Sequence, residues 1–291
     1  MQHIFPNISA HDLQFFYHGT YNVFEVKKRL IFRFPDRHFR NAMGVSLIKK
    51  EIETLQIVKQ HLRLRIPKPI YFSFDPHLPY MGYEKLKGIP LSKYFNKIDD
   101  KTKEKIAKEI ASFLSDLHSL DLVKVFSNNK YSAEDYRIGW KKYFQKIQAE
   151  IFPLLQSDQQ RWLMYLFNDF LDKKENFNFA PKVVHGDFDI TNILYNPKTQ
   201  RISGIVDFED TRIYDPAADL LFFREGEQFL EKILEYYPYQ IDTQFRNRMK
   251  FLFGRTCLPY IEFGYMNDRP EMVTVGLKML DDRMKRFPMD L

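Results

Sequence analysis

The hydrophobic rhythm of the chain changes along its length. Near the N-terminus, Val23-Phe24-Glu25-Val26 and Leu30-Ile31-Phe32-Arg33-Phe34 are short β-branched and aromatic runs with Lys27-Lys28-Arg29 between them. This pattern predicts a strand pair joined by a turn, and Pro35, lacking an N–H for the ladder, ends the second strand. The whole stretch from Asp12 to Phe34 reads as strands, and residues 1–12 as a short helix or an extended lead. Over residues 41–61 the period becomes helical: Leu47, Ile48, Ile52, Leu55 and Val58 recur at three- and four-residue spacings with charges between them. Pro67 and Pro69 close that region. Ile70-Tyr71-Phe72-Ser73-Phe74 and Tyr80-Met81-Gly82-Tyr83-Glu84 then predict two further strands.

Beyond Gly88-Ile89-Pro90-Leu91 the helical period dominates. Asp99 or Asp100 can cap a helix whose apolar stripe is Ile106, Ile110, Phe113, Leu114 and Leu117. Residues 133–151, 157–176, 226–237, 243–265 and 270–286 are expected to be helical. Strands and one helix, then a connector, then a mostly helical half predict an α+β chain of two lobes. The expected boundaries are 1–83 for the N-terminal lobe, 84–90 for a hinge and 91–291 for the C-terminal lobe.

Composition narrows the classes. At 291 residues with 44% hydrophobic and 28% charged, the chain can bury a large core and carries no long disordered tract. Cys257 is the single cysteine, which excludes an internal disulfide and a multi-cysteine metal site; a buried position is expected for it. The opening residues show no signal-peptide pattern and no run approaches a membrane span, so a cytoplasmic location is expected. The net charge of +6 permits anionic partners, yet no nucleic-acid-binding motif accompanies it. Lys27, Lys28, Arg29, Arg37 and Arg40 read as a solvated turn beside the phosphate site. The absence of a Walker A sequence excludes a P-loop kinase.

The chemistry concentrates in Val183-Val184-His185-Gly186-Asp187-Phe188-Asp189-Ile190-Thr191-Asn192-Ile193-Leu194, followed by Ile205-Val206-Asp207-Phe208. Four residues separate Asp187 from Asn192, and Asp207 follows the next strand-like run. That is the spacing at which a kinase loop supplies a base, a metal-binding amide and a metal-binding carboxylate. A carboxylate can accept the proton of an attacking hydroxyl, and Mg²⁺ favours hard oxygen ligands. Asp187 alone could equally cap a turn; Asn192 and Asp207 together argue for the catalytic reading. Asn192 is preferred to Asp189 as the metal ligand on spacing. His185 is expected to brace the loop.

These residues, with Asp215-Pro216-Ala217-Ala218-Asp219-Leu220, resemble the aminoglycoside phosphotransferase family, most closely its 2″ subgroup. The resemblance implies a bilobal protein-kinase-like fold with a small β-rich N-lobe containing one helix and a larger, mainly helical C-lobe. It implies Asp187 as the catalytic residue and Asn192 and Asp207 as metal ligands. Gly19 and Asn22 would belong to the nucleotide-covering loop. Arg33 falls where the family places a phosphate-binding lysine, with Glu51 as its helix partner. Arginine keeps the charge but is planar and bulkier, so the exchange is not neutral; the plain alternative is a strand residue reaching solvent. Tyr83, Glu84 and Leu86 fall in the hinge. Tyr83 would be the gatekeeper, a bulky residue that goes with GTP over ATP, and is also compatible with a plain core aromatic. Asp215 and Asp219 would brace the catalytic loop.

For the acceptor, residues 207–231 hold eight acids against Arg212 and Arg224, in a chain of positive net charge. A polycationic sugar needs such a surface. Glu209, Asp210, Glu225 and Glu227 are the expected substrate-binding residues beside Asp187, with Asp268 and Glu271 by resemblance; Glu231 reads as a solvated helix position. The function so implied is transfer of the γ-phosphate of GTP or ATP, with Mg²⁺, to an aminoglycoside hydroxyl, conferring resistance. The expected partners are a nucleotide and a polycationic small molecule, with no nucleic acid or membrane, and the expected state is a monomer. The alternatives are a metabolic kinase of choline, homoserine, methylthioribose or macrolide type, and a kinase-like binding or regulatory protein with weak catalysis.

Overall fold

The computed structural model describes residues 4–18, 20–39, 41–121 and 132–289. Gly19 and Arg40 lie outside the described residues. The N-terminal part is a five-stranded antiparallel sheet of β1 (Leu13–His18), β2 (Tyr21–Val26), β3 (Leu30–Pro35), β4 (Pro69–Ser73) and β5 (Tyr80–Glu84), in the order β1-β2-β3-β5-β4. Lys27 and Lys28 turn the β2–β3 hairpin with φ of 49° and 55°, left-handed values for non-glycine residues. This turn sits at the Val26–Leu30 end of the hairpin, whereas the segment expected to cover the nucleotide joins β1 to β2 at the other end. From residue 4 the lead makes a turn, with Ile8 N donating to Phe5 O at 3.1 Å, ahead of a 3-10 turn at Ala10–Asp12.

Alternation along the strands decides what the sheet presents on each face. Val23, Arg33 and Met81 are cross-strand partners on one face, as are Glu25, Ile31 and Tyr83. That face meets helix α1 (Ala42–Val58), capped by Asn41, whose side chain accepts from Met43 N. The helical period that buries Ile48, Ile52, Leu55 and Val58 also buries Glu51. One residue out of phase, Phe32 turns to the opposite face and packs with Ile8 and Val26 under Phe5, Tyr71 and Tyr80.

The C-terminal part is mainly helical. Helix α2 (Asp100–His118) begins at Asp99, whose side chain accepts from Thr102 N, and buries the stripe read from the sequence. The other helices are α3 (Ala133–Glu150), α4 (Ser157–Asp172), α5 (Glu227–Tyr236), α6 (Thr243–Gly254), α7 (Leu258–Met266) and α8 (Pro270–Arg286). The single helix expected over 243–265 is broken by a 3-10 turn at Arg255–Cys257. At the break Gly254 abuts α4 so closely that a Cβ there would stand 2.9 Å from Leu166 Cδ2. Aromatic rings fill the space between these helices, with Phe170 stacked on Phe251 at 3.7 Å and Phe144 on Phe167 at 4.4 Å. Cys257 is buried. Among the described residues no helix is long and apolar enough to cross a membrane.

Two small sheets carry the polar loop. β6 (Ile89–Pro90), β8 (Ile193–Asn196) and β9 (Arg201–Ile205) form one, and β7 (Lys182–Val184) pairs with β10 (Arg212–Tyr214) in the other. Loop 185–192 thus leaves β7 and enters β8. Pairing of Arg212 with Val184 brings residues 207–211 alongside that loop. Pairing of Ile89 with Tyr195 ties the connector between the two lobes to the same structure.

Candidate active site

The loop is held from beneath by one buried carboxylate. Asp219 accepts from His185 N at 2.7 Å and Gly186 N at 2.9 Å. It also meets His118 Nε2 at 3.1 Å, and His118 Nδ1 contacts the Tyr237 hydroxyl at 2.6 Å. Burial works against the Asp219 charge, but His118, His185 and the loop N–H groups outweigh it and lower the pKa. His185 Nε2 lies 3.0 Å from Val206 O, which links the loop to the segment that follows β9. His185 is therefore a brace. Asp215 sits elsewhere: it caps Ala217 N at 3.0 Å and faces Arg248 Nε of α6 at 2.9 Å. Its expected role beneath the loop belongs to Asp219 alone.

Gly186 makes the turn that exposes Asp187. Its φ is +88°, and a Cβ there would lie 2.4 Å from Asp210 O. Asn192 Nδ2 donates to Asp187 O at 2.8 Å and to Asp187 Oδ2 at 3.1 Å. Asp189 closes the loop on itself, accepting from Thr191 N at 2.6 Å and from the Thr191 hydroxyl. Asp187 is accessible at the cleft, yet protein surrounds it on its other sides. That partial desolvation and the charges of Asp189, Asp207 and Asp210 push its pKa up to about 7, against the Asn192 hydrogen bond.

Val206 N donates to Asn192 O at 3.0 Å, so Asp207 emerges beside Asn192. Asp207 has φ 72°, a left-handed conformation rare for aspartate. The amide oxygen of Asn192, whose nitrogen is committed to Asp187, and the Asp207 carboxylate are hard donors of the kind Mg²⁺ takes. Among the described residues no cluster of three or more His, Cys, Asp or Glu side chains forms a self-sufficient metal cage. This pair fits a cation that draws its remaining ligands from water and nucleotide phosphates.

Opposite stands Arg33, buried on β3. Nη1 donates to Glu51 Oε1 at 2.6 Å, and Nη2 to Asp207 Oδ1 and Glu209 Oε2, both at 2.8 Å. The guanidinium lies 4.2 Å from the centre of the Tyr21 ring. One cation is shared by three carboxylates. Burial opposes the arginine charge, but the acids outweigh it and raise its pKa, while burial raises Glu51 and Glu209. The arginine stays charged. Glu209, expected on the acceptor side, is thus drawn to Arg33, because this is the buried cation within its reach.

The other predicted residues separate. Tyr83 is buried on the same face of the sheet as Arg33, the face that meets α1. Asn22 Nδ2 reaches Asp36 Oδ2 at 3.4 Å. Glu84 is exposed, pairing with Leu30 through the backbone, and Leu86 is half-buried over Gly204 of β9. Asp210 is exposed in the cleft, where its charge reaches Asp187. Glu225 is half-buried at the loop; burial and Asp189 push its pKa up to about 7. Glu227 instead lies on the exposed start of α5 near Arg246, which grips Glu231 at 2.6 and 2.8 Å. Asp268 and Glu271 are exposed at the α7–α8 turn. What α7 brings to the cleft is Tyr260, whose pKa is raised by burial and by the charges of Asp187 and Asp189. Neither motif nor periodicity singles out Tyr260 in the sequence.

The profile of the phosphotransferase enzyme family (APH) matches residues 12–242. Viomycin phosphotransferase of Streptomyces vinaceus is 30% identical over 166 residues, covering 54% of this chain and 54% of that protein. Acyl-CoA dehydrogenase family member 11 of Pongo abelii is 31% identical over 124 residues, covering 39% of this chain and 14% of that protein. The chain therefore spans about half the length of the first relative and a small part of the second. Among solved structures, the GDP complex of wild-type aminoglycoside 2'-phosphotransferase-IIIa superposes with a TM-score of 0.86 at 21% identity, over 98% of this chain and 97% of that one. The GDP and kanamycin complex of APH(2")-IIIa gives the same values. Macrolide 2'-phosphotransferase MphH from Brachybacterium faecium gives 0.72 at 15% identity, over 94% and 93%. These likenesses establish the bilobal, kinase-like fold.

Proposed function

The chain belongs to the phosphotransferase enzyme family (APH), and from that premise we propose that it is a small-molecule kinase. It transfers the γ-phosphate of GTP or ATP to a hydroxyl of an aminoglycoside, of 2″ type, and so confers resistance. The observation that carries this reading is the meeting of Asp187, Asn192 and Asp207 at one cleft through the Asn192–Asp187 and Val206–Asn192 hydrogen bonds.

In this reading Asp187 orients the acceptor hydroxyl and takes its proton, a role suited to a carboxylate poised near neutrality. Asn192 and Asp207 hold Mg²⁺, which when bound offsets phosphate charge and aligns the transferred group. Arg33, fixed by Glu51, faces the phosphates. Residues 1–83 form the nucleotide lobe, 84–90 the hinge and 91–291 the acceptor lobe. Asn22, Glu84 and Leu86 line the nucleotide's path, and the bulk of Tyr83 favours GTP. Asp210, Glu225 and Tyr260 face the acceptor, where acids surrounding Asp187 suit a polycation. GDP and kanamycin appear together in a neighbour of the same fold, which supports both substrates. A second reading, a different antibiotic acceptor, is favoured by the identity with viomycin phosphotransferase.

The test is an activity matrix with Mg²⁺: ATP and GTP against kanamycin, gentamicin, viomycin, a macrolide, choline and homoserine. Transfer to kanamycin or gentamicin well above choline and homoserine is expected. Turnover of a metabolite with no transfer to any antibiotic would overturn the reading.

A further inference from the structure

We infer that Glu209 is a positioning residue for Arg33: it holds the guanidinium at the phosphate position from the C-lobe side, and so serves the nucleotide and not the acceptor. The inference rests on the kinase reading above and extends it to a residue whose acidity alone suggests acceptor binding.

The geometry argues for it in three steps. Arg33 is planar, with donors at both ends of its fork, so one anchor leaves it free to pivot. Glu51 of α1 fixes Nη1 at 2.6 Å, and Nη2 is shared by Asp207 and Glu209 at 2.8 Å each. A cation held by Asp207 and Asn192 competes with Arg33 for Asp207. Glu209 is the anchor on Nη2 that this competition does not touch.

Glu209 is also placed for the task. Its side chain is 21% exposed against 32% for Asp207, so it lies deeper in the cleft. Its backbone carbonyl accepts from Lys50 Nζ at 3.3 Å, which ties it to the helix turn that carries Glu51. Tyr21 closes the face of the guanidinium at 4.2 Å, so the fork is bounded by two carboxylates and a ring. A lysine ammonium, a point donor with no plane to orient, would have less need of the second anchor.

The experiment measures binding of Mg·GTP and Mg·ATP to the full chain by titration calorimetry, for wild type, Glu209→Ala, Glu209→Gln, Arg33→Ala and the double variants. A charge-assisted hydrogen bond lost from Arg33 should weaken nucleotide binding by about tenfold to a hundredfold in Glu209→Ala. Glu209→Gln keeps an acceptor oxygen and should recover most of that loss. In an Arg33→Ala background, removing Glu209 should change Kd by less than about twofold, since it acts through Arg33. With kanamycin as acceptor, the nucleotide KM should rise while the kanamycin KM stays level. Unchanged nucleotide Kd in Glu209→Ala, additive losses in the double variant, or a raised kanamycin KM alone would overturn the inference. If Glu209→Ala fails to fold, Glu209→Asp, whose shorter side chain draws the carboxylate back from Nη2, and its Arg33→Ala double variant decide the same question by the same losses. Wild-type protein that binds neither nucleotide would defeat the kinase reading itself, a different failure from variants that bind as wild type does.

Discussion

Asp219 lies two elements away from the proposed chemistry, yet its removal should be felt at Asp187. It is fully buried and takes two loop N–H groups and His118 at 2.7, 2.9 and 3.1 Å. Hydrogen bonds to a charged group contribute about 1.5–3 kcal/mol each, though not additively. Asp219→Ala strands two buried backbone donors and one ring nitrogen, so a loss of about 3–5 kcal/mol is expected. For a chain of this size that lowers Tm by roughly 5–8 °C. Asp219→Asn should lose less, because its oxygen still serves one N–H while its nitrogen opposes the other. The sign with pH follows from the lowered folded pKa. The stabilisation is present above the usual carboxylate range and lost as pH falls through the folded value, so wild type should have an acid limb of stability that Asp219→Asn lacks. The assay is scanning calorimetry from pH 2 to 8, paired with steady-state kinetics on Mg·GTP and kanamycin near neutral pH. Because His185 and Gly186 lead into Asp187, kcat should fall more than nucleotide affinity. A Tm within 1 °C of wild type and kcat within about twofold for Asp219→Ala would refute the account of the loop's support.

Three further outcomes follow from the same geometry. Asp187→Asn should lower kcat by about 10²–10⁴-fold, and wild-type kcat should rise with pH through about 7 as the carboxylate ionises. Because the folded pKa of Asp187 is raised, its contribution to stability is full at low pH and lost as pH rises through about 7. Asp187→Asn should therefore melt no lower than wild type at pH 8, and a clearly lower melting point would contradict this. Gly186→Ala forces a side chain into φ +88° and a 2.4 Å approach to Asp210 O. It should cost about 1–3 kcal/mol, read as a lower urea midpoint, and a midpoint equal to wild type would show that the turn can relax. Burial pushes the Cys257 thiol up to about 12, so a thiol reagent at pH 8 should label it only after denaturation; rapid labelling of native protein would refute that.

The legible parts of this protein are those decided within a few residues of chain. Short β-branched and aromatic runs bounded by turn residues pointed to β2, β3, β4 and β5, and the helical stripe pointed to α1 and α2, because burial on one helix face repeats with backbone geometry. The strand phase that turns Ile31 toward α1 also turns Arg33 there, and the helical phase that buries Ile52 also buries Glu51. The cluster of Asp187, Asn192 and Asp207 was readable because a short loop and the next strand fix its spacing. Partnerships between distant residues were readable only where the family resemblance supplied them, as for Arg33 with Glu51. The break between α6 and α7 falls where Gly254 packs against Leu166 of α4, a long-range contact that the local helical period does not show. The placement of α7 brings Tyr260 within electrostatic range of Asp187, and no repeat or motif records that. Glu209 shows the division most clearly. Its charge was evident in the sequence, but which cation it would meet depended on a partner 176 positions away. A carboxylate entering a cleft settles on the buried cation within reach, and only the assembled lobes bring Arg33 there.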